Sequence, residues 1–422
     1  MSAFKPAIIA DMQRARMLAW ELRSAGWELE ILTPRAQECR QDIIEPDSET
    51  FFPEDVKVHS VGSGLDELWR LMGSHTHGWR TIGPMYQAGR QLLREGRFDI
   101  VYISTTTFQF FMLGYLWNRE FSIRYILDLH DPWIRDRKPH LTSWKSAFLQ
   151  WLSERMERLS VLNAAGLISV SGNYIDVLKA RYQDNYPEWL SPDRNAVIPF
   201  GAMERDFFNK NKLIQLAEGG DDELSINYVG AGGRIMMRSF TLICRALGFL
   251  RSQGDRLAAR ARLRLFGTIY DWKIGDPKPL ETTAREAGIG DLVTELPTRV
   301  SYRRSIELLF ESRGAMILGV DDAGYMPSKL FSYALSGKPL IASLRRDSPA
   351  FDHFRQQNTL GHALWFDENM EMPVSEAADV MRGFLDAAAS RQSIDRRAIV
   401  EPFLASAMAQ RHAAIFDACL VG

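Results

Sequence analysis

The stretch of residues 320–342 constrains the fold of this chain more than any other part of it. Its central helical segment is preceded by the apolar run 316–320 and followed by the apolar run 340–342. Short apolar runs separated by a helix are typical of neighbouring parallel strands in an α/β sheet. Pro327 falls where a helix tolerates proline, at its first position, and Gly337 falls where a helix ends. The stretch therefore predicts a strand, a loop, a helix of about three turns that begins at Pro327, and a second buried strand.

The start of this predicted helix is a candidate anion site. Backbone N–H groups at a helix start point outward together and favour an anion, typically phosphate. The ammonium group of Lys329 would add a full positive charge. The residues predicted to form the lip of the site are Tyr325, Met326, Pro327, Ser328 and Lys329. The alternative is a strand–helix–strand unit that binds no ligand.

A glycine-rich turn in the same half of the chain is a second candidate phosphate site. The predicted strand 224–229 leads into the run Gly230-Ala231-Gly232-Gly233-Arg234 and then into a helix. Such a turn brings backbone amides close to a phosphate. A Rossmann dinucleotide fingerprint needs a third glycine where Ile235 stands, so this interpretation is disfavoured. The next predicted strand, 262–266, ends at Gly267, where side chains face the ligand crevice of an α/β sheet.

Length and composition limit the class of protein. The 422 residues exceed one ordinary core and predict two domains of roughly 200 residues each. The formal net charge of −2 argues against a general nucleic-acid-binding protein, because such proteins are usually basic. The three cysteines fit neither a disulfide framework nor the spacing of zinc ligands. This pattern predicts a protein of the reducing cytoplasm. No apolar run reaches the roughly eighteen residues of a spanning helix, so a cytoplasmic protein, or one that rests on a membrane face, is expected.

The first half of the chain predicts a doubly wound sheet of its own. A short buried strand over residues 7–10, a helix over 12–25 and a second strand over 27–33 open this half. Further strands are predicted over residues 56–61, 99–104, 123–129, 166–170 and 196–199. A helix with a break is predicted over residues 65–95.

Two polar residues follow the strand 123–129, in the sequence His130-Asp131-Pro132-Trp133. Residues at the carboxyl end of a parallel strand face the ligand crevice, so His130 and, next to it, Asp131 are candidate catalytic residues. The alternative is structural. In that interpretation Asp131 caps the turn, Pro132 and Trp133 pack, and His130 is only hydrogen-bonded.

Two segments of this half raise the question of membrane contact. The region 69–80 mixes tryptophan, arginine and histidine, as a peripheral membrane patch does, but a solvated loop between helices is the favoured interpretation. An amphipathic helix is predicted over residues 144–162. Phe148, Trp151 and Leu159 share its apolar face, which is expected to pack on the core and not to enter a membrane.

The sequence PSKLFSYALSGKPLI at residues 327–341 resembles the segment PSKLFEYLAAGKPVI of the family 4 glycosyltransferases, which have the GT-B fold. In those enzymes the loop and helix start hold the diphosphate of a nucleotide sugar, and a Glu on the helix contacts the ribose. Ser332 stands at the place of that Glu and Gly324 at the place of an earlier one, so both acidic residues are missing. Asp321 and Asp322 lie close enough in sequence to substitute for them.

Three other segments resemble the same family. Residues 18–33 are similar to its opening pattern LAxxLxxxGHEVxVLT, although the glycine pair of the first loop is absent. The phrase LDLHDPW is similar to members in which a His at the place of His130 contacts the donor sugar or its phosphate. The glycine-rich turn stands at the place of GRxxxxKG, whose Arg and Lys neutralise the leaving diphosphate. Arg234 and Arg238 are the nearest equivalents.

The resemblance implies a GT-B fold: two doubly wound, Rossmann-like parallel-sheet domains that face a central cleft. Residues 1–203 would bind the acceptor, with a helix over about 401–422 packed back on them, and residues 204–400 would bind the donor. Residues 292–302 would lie near the nucleobase. The donor would be a UDP- or GDP-linked sugar, with no metal or other cofactor required. The residues implied in donor binding are Gly230, Gly232, Gly233, Arg234, Arg238, Gly267, Tyr325, Met326, Pro327, Ser328, Lys329 and Ser332.

The implied activity is transfer of a sugar, with retention, to a saccharide or lipid-linked acceptor in the synthesis of a bacterial surface polysaccharide or glycolipid. His130 would steady the donor sugar. A cytoplasmic location follows, compatible with peripheral contact at the inner face of the cytoplasmic membrane. Two alternatives stay open: a sugar-nucleotide epimerase or hydrolase of the same fold, and a non-catalytic GT-B-like binding or scaffold protein. The missing Glu pair is the feature that keeps the scaffold alternative open.

Overall fold

Two units make up the chain in the computed structural model, which describes residues 1–39, 43–64, 77–134, 144–207, 213 and 223–421. The first unit comprises Met1–Pro199 and Ala405–Gly422, and the second comprises Phe200–Leu404. The predicted limits stood at residues 203 and 401. Most of the region 69–80 lies outside the described residues.

The described strands all belong to parallel ladders. In chain order they are β1 (Glu30–Pro34), β2 (Lys57–Val61), β3 (Ile100–Thr105), β4 (Arg124–Leu129), β5 (Gly166–Ser169), β6 (Asn195–Val197), β7 (Leu224–Val229), β8 (Ala261–Phe266), β9 (Val293–Leu296), β10 (Gly314–Leu318), β11 (Leu340–Arg345) and β12 (His362–Phe366). In the first unit β1 pairs with β2, and a separate ladder has the order β3-β4-β5-β6. In the second unit a single sheet has the order β12-β11-β10-β7-β8-β9.

The described helices cover these sheets. In chain order they are α1 (Ala10–Glu21), α2 (His77–Arg94), α3 (Phe111–Phe121), α4 (Trp144–Leu162), α5 (Gly172–Tyr182), α6 (Met237–Ser252), α7 (Arg256–Arg260), α8 (Pro279–Glu286), α9 (Tyr302–Glu311), α10 (Leu330–Leu335), α11 (Pro349–Gln356), α12 (Val374–Ser390), α13 (Arg397–Val400) and α14 (Ala405–Leu420). The helix α14 packs on α1 within the first unit. Within the described residues, no helix is both long and apolar enough to cross a membrane.

The strand predicted over residues 7–10 does not form. Ala7 makes only an isolated antiparallel bridge to Ile44, and α1 begins at Ala10. Ala7 is instead buried with Ala3 and Ile43. The apolar run therefore packs a loop in front of α1, and the prediction of a strand was wrong because too few residues separate Pro6 from the helix.

Much of the apolar face of α4 is turned outward, contrary to the prediction that it packs on the core, and only Met156 at its edge is buried. The exposed fractions are 75% for Trp144, 48% for Phe148 and 50% for Trp151. On the opposite face Glu157 is buried, and its Oε1 accepts hydrogen bonds from Arg181 Nη1 at 3.0 Å and Tyr182 Oη at 2.8 Å. This buried ion pair with α5 fixes the rotation of α4, which periodicity alone could not show.

The predicted helix after Pro327 begins later and is shorter than expected. The helix α10 starts at Leu330 and has six residues, while Pro327 precedes it in a turn closed by a bond from Leu330 N to Pro327 O at 3.2 Å. Its predicted end is confirmed, because Gly337 has a φ of +74°. Hence the amides of Ser328 and Lys329 lie in this turn and not in the first turn of α10.

Candidate functional site

The candidate site of the second unit lies where the strand order of its sheet reverses. From β7 the chain continues to β8 and β9 on one side, whereas β10, β11 and β12 follow on the other side of β7. In open α/β sheets, ligands bind at such a switch point, beyond the carboxyl ends of the strands. The glycine-rich turn follows β7, and the loop that ends at Lys329 follows β10. The two predicted phosphate-binding segments therefore lie at the same edge of the sheet.

The amine of Lys329 lies directly against the glycine-rich turn. A Cβ added at Gly230 would come within 1.7 Å of Lys329 Nζ and 2.7 Å of Lys329 Cε. The φ of Gly230 is +145°, which side-chain-bearing residues rarely adopt. Lys329 Nζ also lies 4.6 Å from the ring centroid of Tyr228 on β7. Position 230 must therefore be glycine if the lysine is to reach this place.

A second cation lies close enough to Lys329 to affect its ionisation. Burial, and after it the positive charge of Arg299, lower the pKa of the Lys329 amine to about 7. Arg299 lies in the loop between β9 and α9, and a Cβ added at Gly267 would be 3.6 Å from Arg299 Cα. Two cations that repel one another at a glycine-lined sheet edge form a favourable place for an anion.

Two amides of the glycine-rich turn are used by the protein itself. The N–H of Gly230 donates to Phe266 O at 2.8 Å, and the N–H of Gly232 donates to Thr268 O at 3.1 Å. These bonds hold the turn against the end of β8. The role of Gly230 and Gly232 is thus close approach of the backbone, and not the presentation of those two amides to phosphate as predicted. Arg234, at the end of the turn, is exposed.

A buried carboxylate fixes the loop after β8. The Oε1 of Glu295 on β9 accepts a bond from Thr268 Oγ1 at 2.6 Å, and its Oε2 accepts the N–H of Leu280 at 2.9 Å. A cavity of about 500 Å³ lies between this loop and the glycine-rich turn. Its lining includes Arg234, Ile235, Tyr270, Trp272 and Pro277. The turn and the anchored loop together form a concave, partly aromatic surface next to the ends of β7 and β8.

Arg238 contacts carboxylates and an aromatic ring, whereas contact with a phosphate was predicted for it. Its guanidinium pairs with Glu371 at 3.3 Å and with Asp321 at 3.6 Å, and it stacks 5.0 Å from the ring centroid of Phe366. Asp321 also pairs with Arg345 at 2.7 Å. These carboxylates already balance the charge of Arg238. Asp321 is held in the same network of ion pairs, whereas Lys329 lies against the glycine-rich turn itself.

The remaining residues of the predicted lip differ in exposure. Met326 and Pro327 are buried, while Tyr325, Ser328 and Lys329 are partly exposed. Only the latter three can therefore face a ligand. Ser332, at the place of the ribose-binding Glu, lies on α10 and is partly exposed.

His130 lies at the carboxyl end of β4 in the first unit and is buried. Its Nε2 lies 3.0 Å from Asp128 Oδ2 and 3.0 Å from Ser104 Oγ. Because a carboxylate only accepts hydrogen bonds, Nε2 carries the proton and donates to Asp128. The imidazole is thereby fixed in orientation by a side chain of the same strand.

The segment after His130 is only partly as predicted. Trp133 packs as the structural alternative required, stacked on Phe108 with ring centroids 5.7 Å apart. Asp131 lies in a bend next to His130. Its capping of the turn stays a prediction.

Residues 12–201 match the sequence model of the glycosyl transferase 4-like domain. Most of the first unit is therefore similar to a glycosyl transferase 4-like domain. No curated protein matches the whole chain or part of it.

Solved structures that share the fold of this chain have low sequence identity to it. HepE from Anabaena, in complex with UDP-glucose, is 12% identical with a TM-score of 0.61, and the match covers 98% of this chain and 96% of HepE. The UDP-forming trehalose-phosphate synthase from Burkholderia xenovorans is 11% identical with a TM-score of 0.61, over 93% and 99%. The UDP-GlcNAc 2-epimerase from Methanocaldococcus jannaschii is 11% identical with a TM-score of 0.52, over 97% of each chain. The predicted GT-B fold and the resemblance to family 4 glycosyltransferases are confirmed.

A buried charged network supports His130 in the first unit, and it was not predicted from the sequence. Asp128 Oδ2 pairs with Arg14 Nε at 2.9 Å and accepts a bond from Tyr102 Oη at 2.5 Å. Burial alone would raise the pKa of Asp128, but Arg14 and His130 lower it below its ordinary value overall. The signal in the sequence was a carboxylate inside the apolar run YILDL.

The same network reaches the terminal helix of the chain. His412 on α14 donates its Nδ1–H to Met408 O at 2.7 Å, so its Nε2 is left to accept a bond from Arg14 Nη1 at 3.4 Å. Burial, followed by the charge of Arg14, lowers the pKa of His412 to about 3. A neutral His412 thus completes the polar surroundings of Arg14. The helix α14 thereby supports the strand β4, which His130 directly follows.

Proposed function

We propose that this protein is a glycosyltransferase that moves a sugar from a nucleotide-diphosphate sugar to an acceptor hydroxyl. The single observation that carries the proposal is the approach of Lys329 Nζ to Gly230 at the switch point of the second sheet, with Arg299 beside it. The glycosyl transferase 4-like domain in the first unit supports the same reaction class. In this proposal the second unit binds the donor and the first binds the acceptor.

The diphosphate is the part of the donor that the two cations fit. When the bond between the anomeric carbon and the diphosphate oxygen breaks, negative charge builds on the leaving group. Lys329 and Arg299 lie where they can balance that charge, and exposed Arg234 can reach it from the edge of the glycine-rich turn. Bound diphosphate would also relieve the repulsion between Lys329 and Arg299, so ligand binding and protonation of Lys329 favour one another.

A uridine nucleotide is the proposed donor base. The structure of HepE was solved with UDP-glucose and with UDP, and it shares the fold of this chain over nearly its full length. In this chain, residues 292–302, which include Arg299, are proposed to contact the base. We propose transfer with retention, in which the acceptor hydroxyl passes its proton to the leaving phosphate as the new C–O bond forms.

His130 is proposed to steady the donor sugar and not to act as a general base. Its Nε2–H is already donated to Asp128, which keeps the ring in one orientation. The buried Arg14–Asp128 pair makes this orientation rigid, because neither charge can move without losing its partner. Preorganisation of this kind lowers the cost of binding a sugar in one pose.

The acceptor is proposed to be a lipid-linked saccharide of a bacterial surface polysaccharide or glycolipid, reached at the inner face of the cytoplasmic membrane. The exposed face of α4 supports contact with that membrane. Trp144, Phe148 and Trp151 are exposed, and Arg155 lies over Trp151 with its Cζ 5.5 Å from the ring centroid. Aromatic rings next to arginine on one helix face suit the headgroup region of a bilayer, and arginine favours anionic lipids.

One alternative has an observation in its favour. The fold of the chain is also that of a UDP-GlcNAc 2-epimerase, with a TM-score of 0.52. An epimerase would change the sugar while leaving it attached to the nucleotide, whereas a transferase releases the nucleotide diphosphate.

Product analysis tests the proposal. The purified protein is incubated with UDP-glucose, UDP-N-acetylglucosamine or GDP-mannose and a lipid-linked saccharide extract, and products are identified by mass spectrometry. The expected result is release of UDP together with an acceptor that has gained one sugar residue. Conversion of the sugar nucleotide to an isomer without release of UDP would show that the protein is an epimerase. Absence of any reaction or binding would favour a non-catalytic scaffold protein.

A further inference from the structure

A large cavity inside the first unit lies between two strands of the same direction. Its volume is about 910 Å³. One side is formed by residues 28–32, which include most of β1, and the facing side by residues 98–104, which include most of β3. Within the described residues, β1 has only β2 as a strand partner and β3 has only β4. The sheet of this unit is therefore interrupted at the cavity, with one edge of β1 and one edge of β3 turned towards it.

Both faces of this gap are covered by apolar side chains of helices. From α1 and α14, which pack on one another, Leu18 and Phe416 line the cavity, and Leu22 directly after α1 lines it as well. The lining from α2 and α3, which also pack on one another, includes Met85 and Trp117. A parallel strand with helices on both sides is buried on both faces and consists almost entirely of apolar residues. The gap offers this environment.

The connection from α1 to β1 shows where an additional strand would belong. The helix α1 leads through Gly26 into β1, which forms the helix–strand half of a βαβ unit. Crossovers between parallel strands are right-handed, and consecutive strands of such units are usually neighbours. The first strand of the unit would lie beside β1 and end near the residues that precede α1. The cavity is at that place.

The position of Met1 is consistent with such a strand. Met1 lines the cavity, and its amino nitrogen donates to Leu32 O of β1 at 3.0 Å. Burial lowers the pKa of this amino group to about 6, although the charge of Asp11 acts in the opposite direction. A peptide N–H at the same place would make the same bond to β1 without a charge to bury.

We propose that the cavity is the site of one further parallel β-strand, an extended apolar segment of about six residues joined to the amino nitrogen of Met1, since β1 and β3 have five and six residues. This strand pairs with β1 on one side and β3 on the other. It joins the ladders β2-β1 and β3-β4-β5-β6 into one continuous parallel sheet. The backbone of the segment forms ladder hydrogen bonds with β1 and β3. Its apolar side chains pack on the helices α1 and α14 on one face and on α2 and α3 on the other.

Extension of the chain at Met1 tests this inference. One variant has a segment of six Val, Ile and Leu residues before Met1, behind a short lysine-containing leader. The matched control has the same extension with proline at its two central positions, which cannot donate to a ladder. Both are compared with the chain as it stands, by thermal unfolding and by hydrogen exchange of the soluble monomer.

The apolar extension is expected to raise the Tm by at least about 5 °C and to slow amide exchange in β1 and β3 at least tenfold. The proline control is expected to do neither. Equal exchange in β1 and β3 for the two extended variants would overturn the inference. The same apolar peptide can also be added as a separate molecule. If it protects the amides of β1 and β3 from exchange as well as the attached extension does, the proposal that the strand is joined to Met1 is overturned, because the gap would then be a docking groove for a separate chain. Neither readout depends on sugar transfer.

Discussion

The amine of Lys329 lies beside the glycine-rich turn, and burial and Arg299 lower its pKa to about 7. Below pH 7 the amine is charged before a diphosphate arrives. Above pH 7 it must take up a proton on binding, so affinity falls as the pH rises. We expect the Kd for UDP to increase between pH 7.5 and 9 by up to about tenfold per pH unit, measured by calorimetry in buffers of different ionisation enthalpy.

Lys329→Arg is the matched control for this pH dependence. A guanidinium stays charged throughout this range, so the Kd of the variant should hardly change with pH, whatever its absolute value. A Kd that rises equally in both proteins would show that another group titrates, and it would remove Lys329 from the site.

A substitution at Gly230 tests the contact between this glycine and the amine of Lys329. A Cβ there would come within 1.7 Å of Lys329 Nζ, so Gly230→Ala is expected to displace the amine and to reduce kcat/KM by at least about tenfold. Gly275→Ala is the control, because Gly275 also has a positive φ, of +99°, but no atom lies within 4 Å of its added Cβ. If both variants lose activity equally, backbone strain and not the lysine contact explains the loss.

Asp128 provides the negative charge that stabilises the buried network in the first unit. Asp128→Asn would leave Arg14 buried without its counter-charge, and we expect a loss of about 3–5 kcal/mol in the free energy of unfolding, measured with urea. Asp55→Asn, which breaks an exposed pair with Arg23, should change stability little. A small effect at Asp128 would mean that the network does not hold the strand that positions His130.

Single residues differ in how far the sequence alone could predict them. Lys329 could be predicted, because proline, lysine and glycine around it follow one another within a single segment. Arg299 could be placed only near the base, since its approach to Lys329 depends on how two separate loops end beside each other. Arg14 and His412 are 398 residues apart, and no local pattern joins them.

At the scale of elements, the rotation of α4 has a functional consequence. Its exposed aromatic residues are expected to bind anionic bilayers. In a vesicle co-sedimentation assay with phosphatidylglycerol, the double substitution of Trp144 and Trp151 by serine should reduce the bound fraction at least about fivefold. Because both side chains are at least half exposed, thermal stability should be unchanged.

The control for α4 is Tyr186→Ser, which removes an aromatic ring that is 86% exposed elsewhere on the same unit. It should leave vesicle binding unchanged. Binding that is unaffected by the two tryptophan substitutions, or lost equally in the tyrosine control, would contradict contact through α4.

Helices and strands were predictable where a local sequence pattern determines them. They were not predictable where tertiary packing determines their orientation or their first residue. The strands β7, β8, β10 and β11 of the second unit follow from short apolar runs, and Gly337 ends its helix as expected, but β12 was not predicted. The outward face of α4 did not follow from periodicity, which shows that a stripe exists but not which stripe is buried. The start of α10 was misplaced because Pro327 can begin either a helix or a turn.

At the scale of the whole molecule, each unit has its own apolar core and parallel sheet. Length and the alternation of strands with helices were enough to predict this organisation. The gap between β1 and β3 was not predictable, because residues 7–10 have the composition of a strand but pack as a loop. The two candidate sites, around Lys329 and around His130, lie in different units.

The most direct test of the donor site is a calorimetric titration of the full chain with UDP, beside its Lys329→Ala variant. We expect saturable binding of UDP with one site per chain, weakened at least about tenfold by Lys329→Ala, while the variant unfolds at the same or a higher temperature because a desolvated amine has been removed. No saturable binding of UDP or GDP, or equal affinity of both proteins for the nucleotide, would contradict a diphosphate site at Lys329.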